Sequence, residues 1–186
     1  MALIYRTTLV PSKLELLSGW LVSQDWYRPQ PGGAQLTRAG GFRLDDPDGK
    51  VGIEFMIVLD GGGEDAVAYL VPLTYRADPL PGADDALIGT TEHGVLGTRW
   101  VYDGTRDPVL LAQATALAEG RAQAQAQSES DRLDPTVHTE PADAGGSAEI
   151  GFVRVLSSAG TGQVAATWTA ADGSQVRGPV MTVTRK

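Results

Sequence analysis

The stretch GGFRLDDPDGKVGIEFMIVLD, residues 40–60, is two extended runs separated by Asp46-Pro47-Asp48-Gly49. Proline locks one turn dihedral and glycine supplies a positive φ, so the pair reads as a β-hairpin. In its second run Val51, Ile53, Phe55 and Ile57 alternate onto one face. Antiparallel sheet is therefore the frame on which the rest of the chain is placed. Downstream, GGGED (61–65) turns the chain into AVAYLVPLTYR (66–76), where Val67, Tyr69, Val71, Leu73 and Tyr75 alternate in the same way. Pro72 has no N–H to give a ladder, so this strand is expected at an edge or with a bulge.

Upstream, MALIYRTTLV (1–10) reads as a strand, and Pro11-Ser12 opens a helix in which Ser12 and Glu15 have capping-box spacing. Leu14, Leu17 and Leu21 recur at helical intervals, with Leu16 and Trp20 widening the stripe. A Pro/Gly-rich loop from Gln24 to Gly33 carries Trp26 and Tyr27. Beyond residue 76 comes a loop rich in Pro, Gly and Asp, and then TTEHGVLGTRWVYDGTRDP (90–108), where GTRWVYD alternates as a strand with Trp100 and Tyr102 on one side. Asp107-Pro108 is a helix start, an N-cap followed by proline, for VLLAQATALAEGRAQ.

After Gly120 the chain becomes polar, repetitive and Pro/Gly-punctuated, as a linker over 121–146 would be. Three strand-like runs then return, AEIGFVRVL, QVAATWTA and QVRGPVMTVT, separated by SSAGTG and ADGS. The expectation is an α+β fold: an antiparallel sheet with two helices packed on one side over 1–120, plus a small C-terminal β meander over 147–186 that packs on that unit or extends its sheet.

With 186 residues, the chain suits one ordinary core with a small appendage. Twenty-three acidic against fifteen basic residues give a net charge of −8, which repels phosphate backbones and anionic lipid and argues against nucleic acid or membrane as the main partner. The absence of cysteine removes disulfide and thiolate chemistry. The amino terminus has no uninterrupted apolar core of the signal-peptide kind, so the cytoplasm is the expected compartment.

Motifs for chemistry are missing. After His93 come Gly94 and Val95, and after His138 come Thr139 and Glu140, so neither histidine begins a kinase catalytic loop. VRVLSSAGTGQVAATW has the order of a nucleotide-covering hairpin, with Gly160 and Gly162, but lacks a third glycine at the usual spacing and a lysine on the following strand. LDDPDGKVGIEF lacks the ligand spacing of a calcium loop, and GGGED is not followed by the Lys-Ser/Thr of a P-loop. No serine sits in a G-x-S-x-G elbow, and two distant histidines without cysteine make no zinc site. No cofactor and no metal are expected.

Two readings of residues 90–108 stand. Glu92, His93 and Arg99 would bond the hydroxyls of a sugar on which Trp100 or Tyr102 stacks, with Trp26 and Tyr27 as further aromatic candidates. Alternatively, Glu92-His93-Gly94 is a turn, Trp100 is core and Arg99 is a solvated strand residue. The second is preferred, because nothing picks a working carboxylate pair from the many surface acids.

The runs YRTTLVPSKLELLSGWL, VPLTYRADPLPG, ALIG and WVYDGTRDPVLLAQATALAEG resemble the N-terminal cap domain of actinobacterial maltokinases and related glucosamine kinases, over roughly residues 1–120. The likeness is greatest to small stand-alone relatives of that cap, some labelled glucan branching enzymes although they show no catalytic domain. The resemblance implies a cystatin- or monellin-like sheet wrapped over a helix. In the full-length kinases the phosphoryl-transfer residues lie downstream of the cap, so it assigns no catalytic residue here. The expected role is a non-catalytic accessory or regulatory module that contacts a sugar kinase or another α-glucan/trehalose enzyme. The alternative is a small carbohydrate-binding protein that uses exposed aromatics.

Overall fold

A computed structural model describes residues 9–127, 132–140 and 148–185. Residues 1–8 of the expected first strand, 128–131 and 141–146 of the expected linker, and 147 and 186 of the expected meander lie outside them. The elements are β1 (Leu9–Val10), α1 (Lys13–Leu21), β2 (Leu36–Leu44), β3 (Gly52–Asp60), β4 (Val67–Arg76), β5 (Leu87–His93), β6 (Gly97–Asp103), α2 (Pro108–Ala118), β7 (Gln125–Ala126), β8 (His138–Thr139), β9 (Ala148–Phe152), β10 (Val164–Thr169) and β11 (Gln175–Arg185). Two helices and a mostly antiparallel sheet make this an α+β fold.

The β2–β3 hairpin forms where its turn chemistry directs. Gly49 donates to the Asp46 carbonyl at φ +66°, and the Asp46 carboxylate accepts from Lys50 and Val51 N–H at 2.9 Å each. α1 has the full capping box: Ser12 Oγ accepts from Glu15 N–H, and the Glu15 carboxylate accepts from Ser12 N–H at 2.7 Å. Asp107 caps α2, accepting from Val109 N–H at 2.9 Å, with Pro108 at the first helical position.

The strand order is β1-β5-β6-β4-β3-β2-β10-β11-β9, all antiparallel, with β7 added to β2 and β8 to β10. β5 is a strand where the sequence predicts loop and turn. The C-terminal strands are no simple meander either, because β11 lies between β10 and β9. Past β9 the chain crosses to the free stretch of β4: Leu70 N–H donates to the Arg154 carbonyl at 3.0 Å and Leu156 N–H to the Ala68 carbonyl at 2.8 Å. The strands β4-β3-β2-β10-β11-β9 are thereby joined in a ring. Pro72 sits on the same side of β4 as Leu70 N–H, between this crossing and the start of the β6 pairing at Leu73, so its missing N–H costs no ladder bond.

The expectation that both helices share one side is overturned. Phe55 and Ile57 of β3 pack in a core with Phe42, Trp168, Val180 and α2 residues Leu110, Ala114 and Leu117. Met56 and Val58 belong to a second core with Leu17 and Leu21 of α1, Tyr69 and Val71. Successive strand side chains point to opposite faces, so the helices lie on opposite faces of the sheet. Within the larger core, Phe42 and Phe55 stack with centroids 4.6 Å apart, a pair contributing about 0.5–1.5 kcal/mol beyond its buried area.

Part of the expected linker is built into the fold. Ala124 is buried, Gln125–Ala126 pairs with Arg43 and Phe42 of β2, and His138–Thr139 pairs with β10. The reason is polar: Gln127 Nε2 donates to buried Glu54 at 2.9 Å while its carbonyl accepts from the Arg38 guanidinium. Gly41, at φ +127°, leaves room for this, since a Cβ there would stand 2.2 Å from the Phe55 carbonyl oxygen and 2.6 Å from Gln127 Nε2.

Candidate functional site

β5 and β6 are paired as Glu92↔Thr98, Thr91↔Arg99, Thr90↔Trp100 and His93↔Gly97. This register places Glu92 and Trp100 on one face and His93 and Arg99 on the other. Glu92 accepts from Thr98 Oγ1 at 2.6 Å, a cross-strand bond at the surface. His93 Nδ1 accepts from Val95 and Leu96 N–H at 3.3 and 3.1 Å and so closes the turn that joins the two strands. Burial first, and then the positive charge of Arg99, hold the imidazole below its ordinary value. Trp100 and Tyr102 do share a face, but as parts of a small core with Ala83, Ala86 and Leu80, in which the buried Tyr102 hydroxyl accepts from Leu80 N–H.

Trp26 and Tyr27 lie elsewhere, over β3 and β4. Trp26 packs edge-on to Trp20 and tilted against Tyr69, with the Arg154 guanidinium 5.0 Å from its ring centre. The Tyr27 hydroxyl donates to Asp60 at 2.8 Å. The seven residues singled out from the sequence thus fall into three places: a hairpin end, a small core and an aromatic cluster. No common groove collects them.

Val95 and Leu96, at the β5–β6 turn, are 61% and 41% exposed, and Val10, paired with Glu92 on the adjoining β1, is 66% exposed. β1 ends the strand order, and among the described residues nothing pairs with its outer side. Aliphatic side chains are thereby grouped at a free sheet edge, an arrangement that monomers usually avoid. The sequence signal was the pair Val95-Leu96 inside HGVLG, where a tight turn would ordinarily carry polar residues.

Polar groups inside the fold are committed to holding elements together. Glu54 accepts from Lys13 Nζ at 2.5 Å and from the Tyr75 hydroxyl at 2.7 Å, which ties the start of α1 to the sheet. Burial pushes Glu54 up, but Lys13 and Tyr75 outweigh it and hold the carboxyl below its usual range. Burial, with Glu54 alongside, drives Tyr75 well above the usual phenol value. Asp107 takes two bonds of 2.7 Å from the Arg76 guanidinium, which with Val109 N–H keep it ionised against its burial. Among the described residues no group of three or more His, Asp or Glu side chains is placed to hold a metal ion, and no helix is long and apolar enough to cross a membrane.

The fold and its surface define an α+β sheet module whose buried carboxylates Glu54 and Asp107 tie elements together and which exposes Val10, Val95 and Leu96 beside β1. More particularly, the family model of the maltokinase N-terminal cap domain matches residues 20–107, and this segment is similar to that domain. The match spans β2 to β6 and stops at Asp107, the cap of α2. No curated protein and no solved structure matches the chain.

Proposed function

We propose that this chain is a non-catalytic accessory or regulatory module, akin to the N-terminal cap of a sugar kinase, that contacts a partner protein through the edge formed by β1 and the β5–β6 turn. The observation that carries it is the exposure of Val10, Val95 and Leu96 beside β1, whose outer side pairs with none of the described residues. The cap-domain relationship of residues 20–107 supports a kinase or another enzyme of sugar or α-glucan/trehalose metabolism as the partner, in the cytoplasm. The finer likeness to a cystatin- or monellin-type sheet belongs to the same proposal: α1 falls between β1 and β2 in sequence and packs on Met56, Val58 and Val71. A carbohydrate site has less support, since Tyr102 is buried and Trp26 and Tyr27 are engaged with Tyr69 and Asp60.

Calorimetric titration against a sugar kinase from the same cell tests this. Saturable binding is expected, weakened about tenfold or more by the double substitution Val95→Asp, Leu96→Asp, which desolvates charge in an apolar contact while leaving the folded chain intact. Equal binding by the double variant, or phosphate transfer to maltose, glucose or glucosamine by this chain alone, would contradict the proposal.

A further inference from the structure

The loop between β9 and β10 is pressed onto β11. A Cβ at Gly162 would lie 2.5 Å from the Met181 carbonyl oxygen and 2.8 Å from Pro179 Cβ. Close backbone approach accounts for that glycine without any nucleotide. Over the same strands lies an open cleft of about 290 Å³, lined by Glu140, Ser158, Thr161, Ala165, Arg177 and Pro179. Glu140 is held at its rim because its N–H donates to the Gln163 carbonyl at 2.8 Å, immediately after β8 joins β10. Arg177 stands opposite Thr167 in the β10–β11 ladder.

Both charged side chains are exposed, and among the described residues neither makes a hydrogen bond or an ion pair. The N–H groups of Gly160, Thr161 and Gly162 likewise have no partner among the described residues. A guanidinium takes a carboxylate through two parallel bonds, and Gly160, Thr161 and Gly162 line the same cleft. A glutamate carboxylate only accepts, so Glu140 suits a hydroxyl or ammonium and repels a second negative charge. Ala165 and Pro179 give carbon atoms a surface to rest on.

We infer that this cleft binds a small carboxylate that also carries hydroxyl or ammonium groups, and that it rejects polyphosphates. Its volume matches the lower end of small-molecule sites, about 300 Å³. The inference is independent of the partner surface at the opposite end of the strand order.

Titrations followed by amide NMR, with D-gluconate, L-serine, D-glucose and Mg·ATP as probes, decide it. Saturable shifts are expected at Gly160, Thr161 and Gly162 with gluconate (hydroxyl donors) or serine (an ammonium donor), and none with glucose, which lacks the anion. Arg177→Gln should weaken the bound carboxylate about tenfold or more and Glu140→Gln by severalfold, each with the rest of the spectrum unchanged, because both side chains are exposed. No saturation by either carboxylate up to about 20 mM, where even one or two such contacts register, would overturn the inference. So would shifts that persist in Arg177→Gln, or Mg·ATP binding more tightly than both carboxylates.

Discussion

His93 accepts two backbone N–H groups at Nδ1, so in the fold its proton belongs on Nε2 and the ring is neutral. Burial first, and then the positive charge of Arg99, disfavour the imidazolium, which is why the folded value lies below the ordinary 6.5. The unfolded chain therefore takes up the proton first. The stability that His93 contributes is full above the ordinary imidazole value and declines as pH falls through it. An NMR titration of the His93 ring should give a midpoint under 6.5, and thermal melts should show a loss between about pH 7.5 and 5.5 that His93→Ala removes. At the higher pH that substitution should cost about 1 kcal/mol, the worth of a hydrogen-bonded turn. A midpoint above 6.5 would mean that the imidazolium is stabilised and the acceptor role is wrong.

At the scale of elements, what the sequence disclosed was local. The Ser12/Glu15 box, the Asp107-Pro108 start and the Asp46–Gly49 turn are each written within five residues, and each stands in the structure. What stayed hidden depends on distant partners. GIEFMIVLD is apolar on both faces: Ile53, Phe55 and Ile57 make one face, and Met56 and Val58 carry the sign that a second helix covers the other side. The crossing at Arg154–Leu156 has no sequence mark, because its bonds are backbone bonds to β4. The candidate site was legible only as residue types: the β5–β6 register sends Glu92 and His93 to opposite faces, and a bulge between Leu87 and Gly89 obscured β5 itself. Asp107 joins the local and the distant, since it caps α2 and receives Arg76 from the end of β4. Asp107→Ala leaves the guanidinium, 19% exposed, without its carboxylate, and should cost about 3 kcal/mol in urea unfolding. A cost under about 0.5 kcal/mol, that of an ordinary surface change, would show that the clamp contributes nothing. Because Asp107 lies below its usual value in the fold, this stabilisation is present above the ordinary aspartate range and fades as pH drops beneath it.

For the molecule as a whole, the segment related to the maltokinase cap does not bury its own sheet. Trp168, Val180 and Met181 from the C-terminal strands fill the same core as Phe42 and Phe55, and residues 154–156 close the ring on β4. The C-terminal strands cover one end of the β2–β4 sheet, while at the other no described residue pairs with the outer side of β1, and Val10, Val95 and Leu96 are exposed. That asymmetry is what makes a protein contact the preferred reading over catalysis. Hydrogen–deuterium exchange of the chain, alone and mixed with a sugar kinase from the same cell, tests it most directly. The account predicts slowed exchange concentrated in residues 9–10 and 92–99. Slowing confined to the C-terminal strands, or none at kinase concentrations that saturate the calorimetric binding, would contradict it.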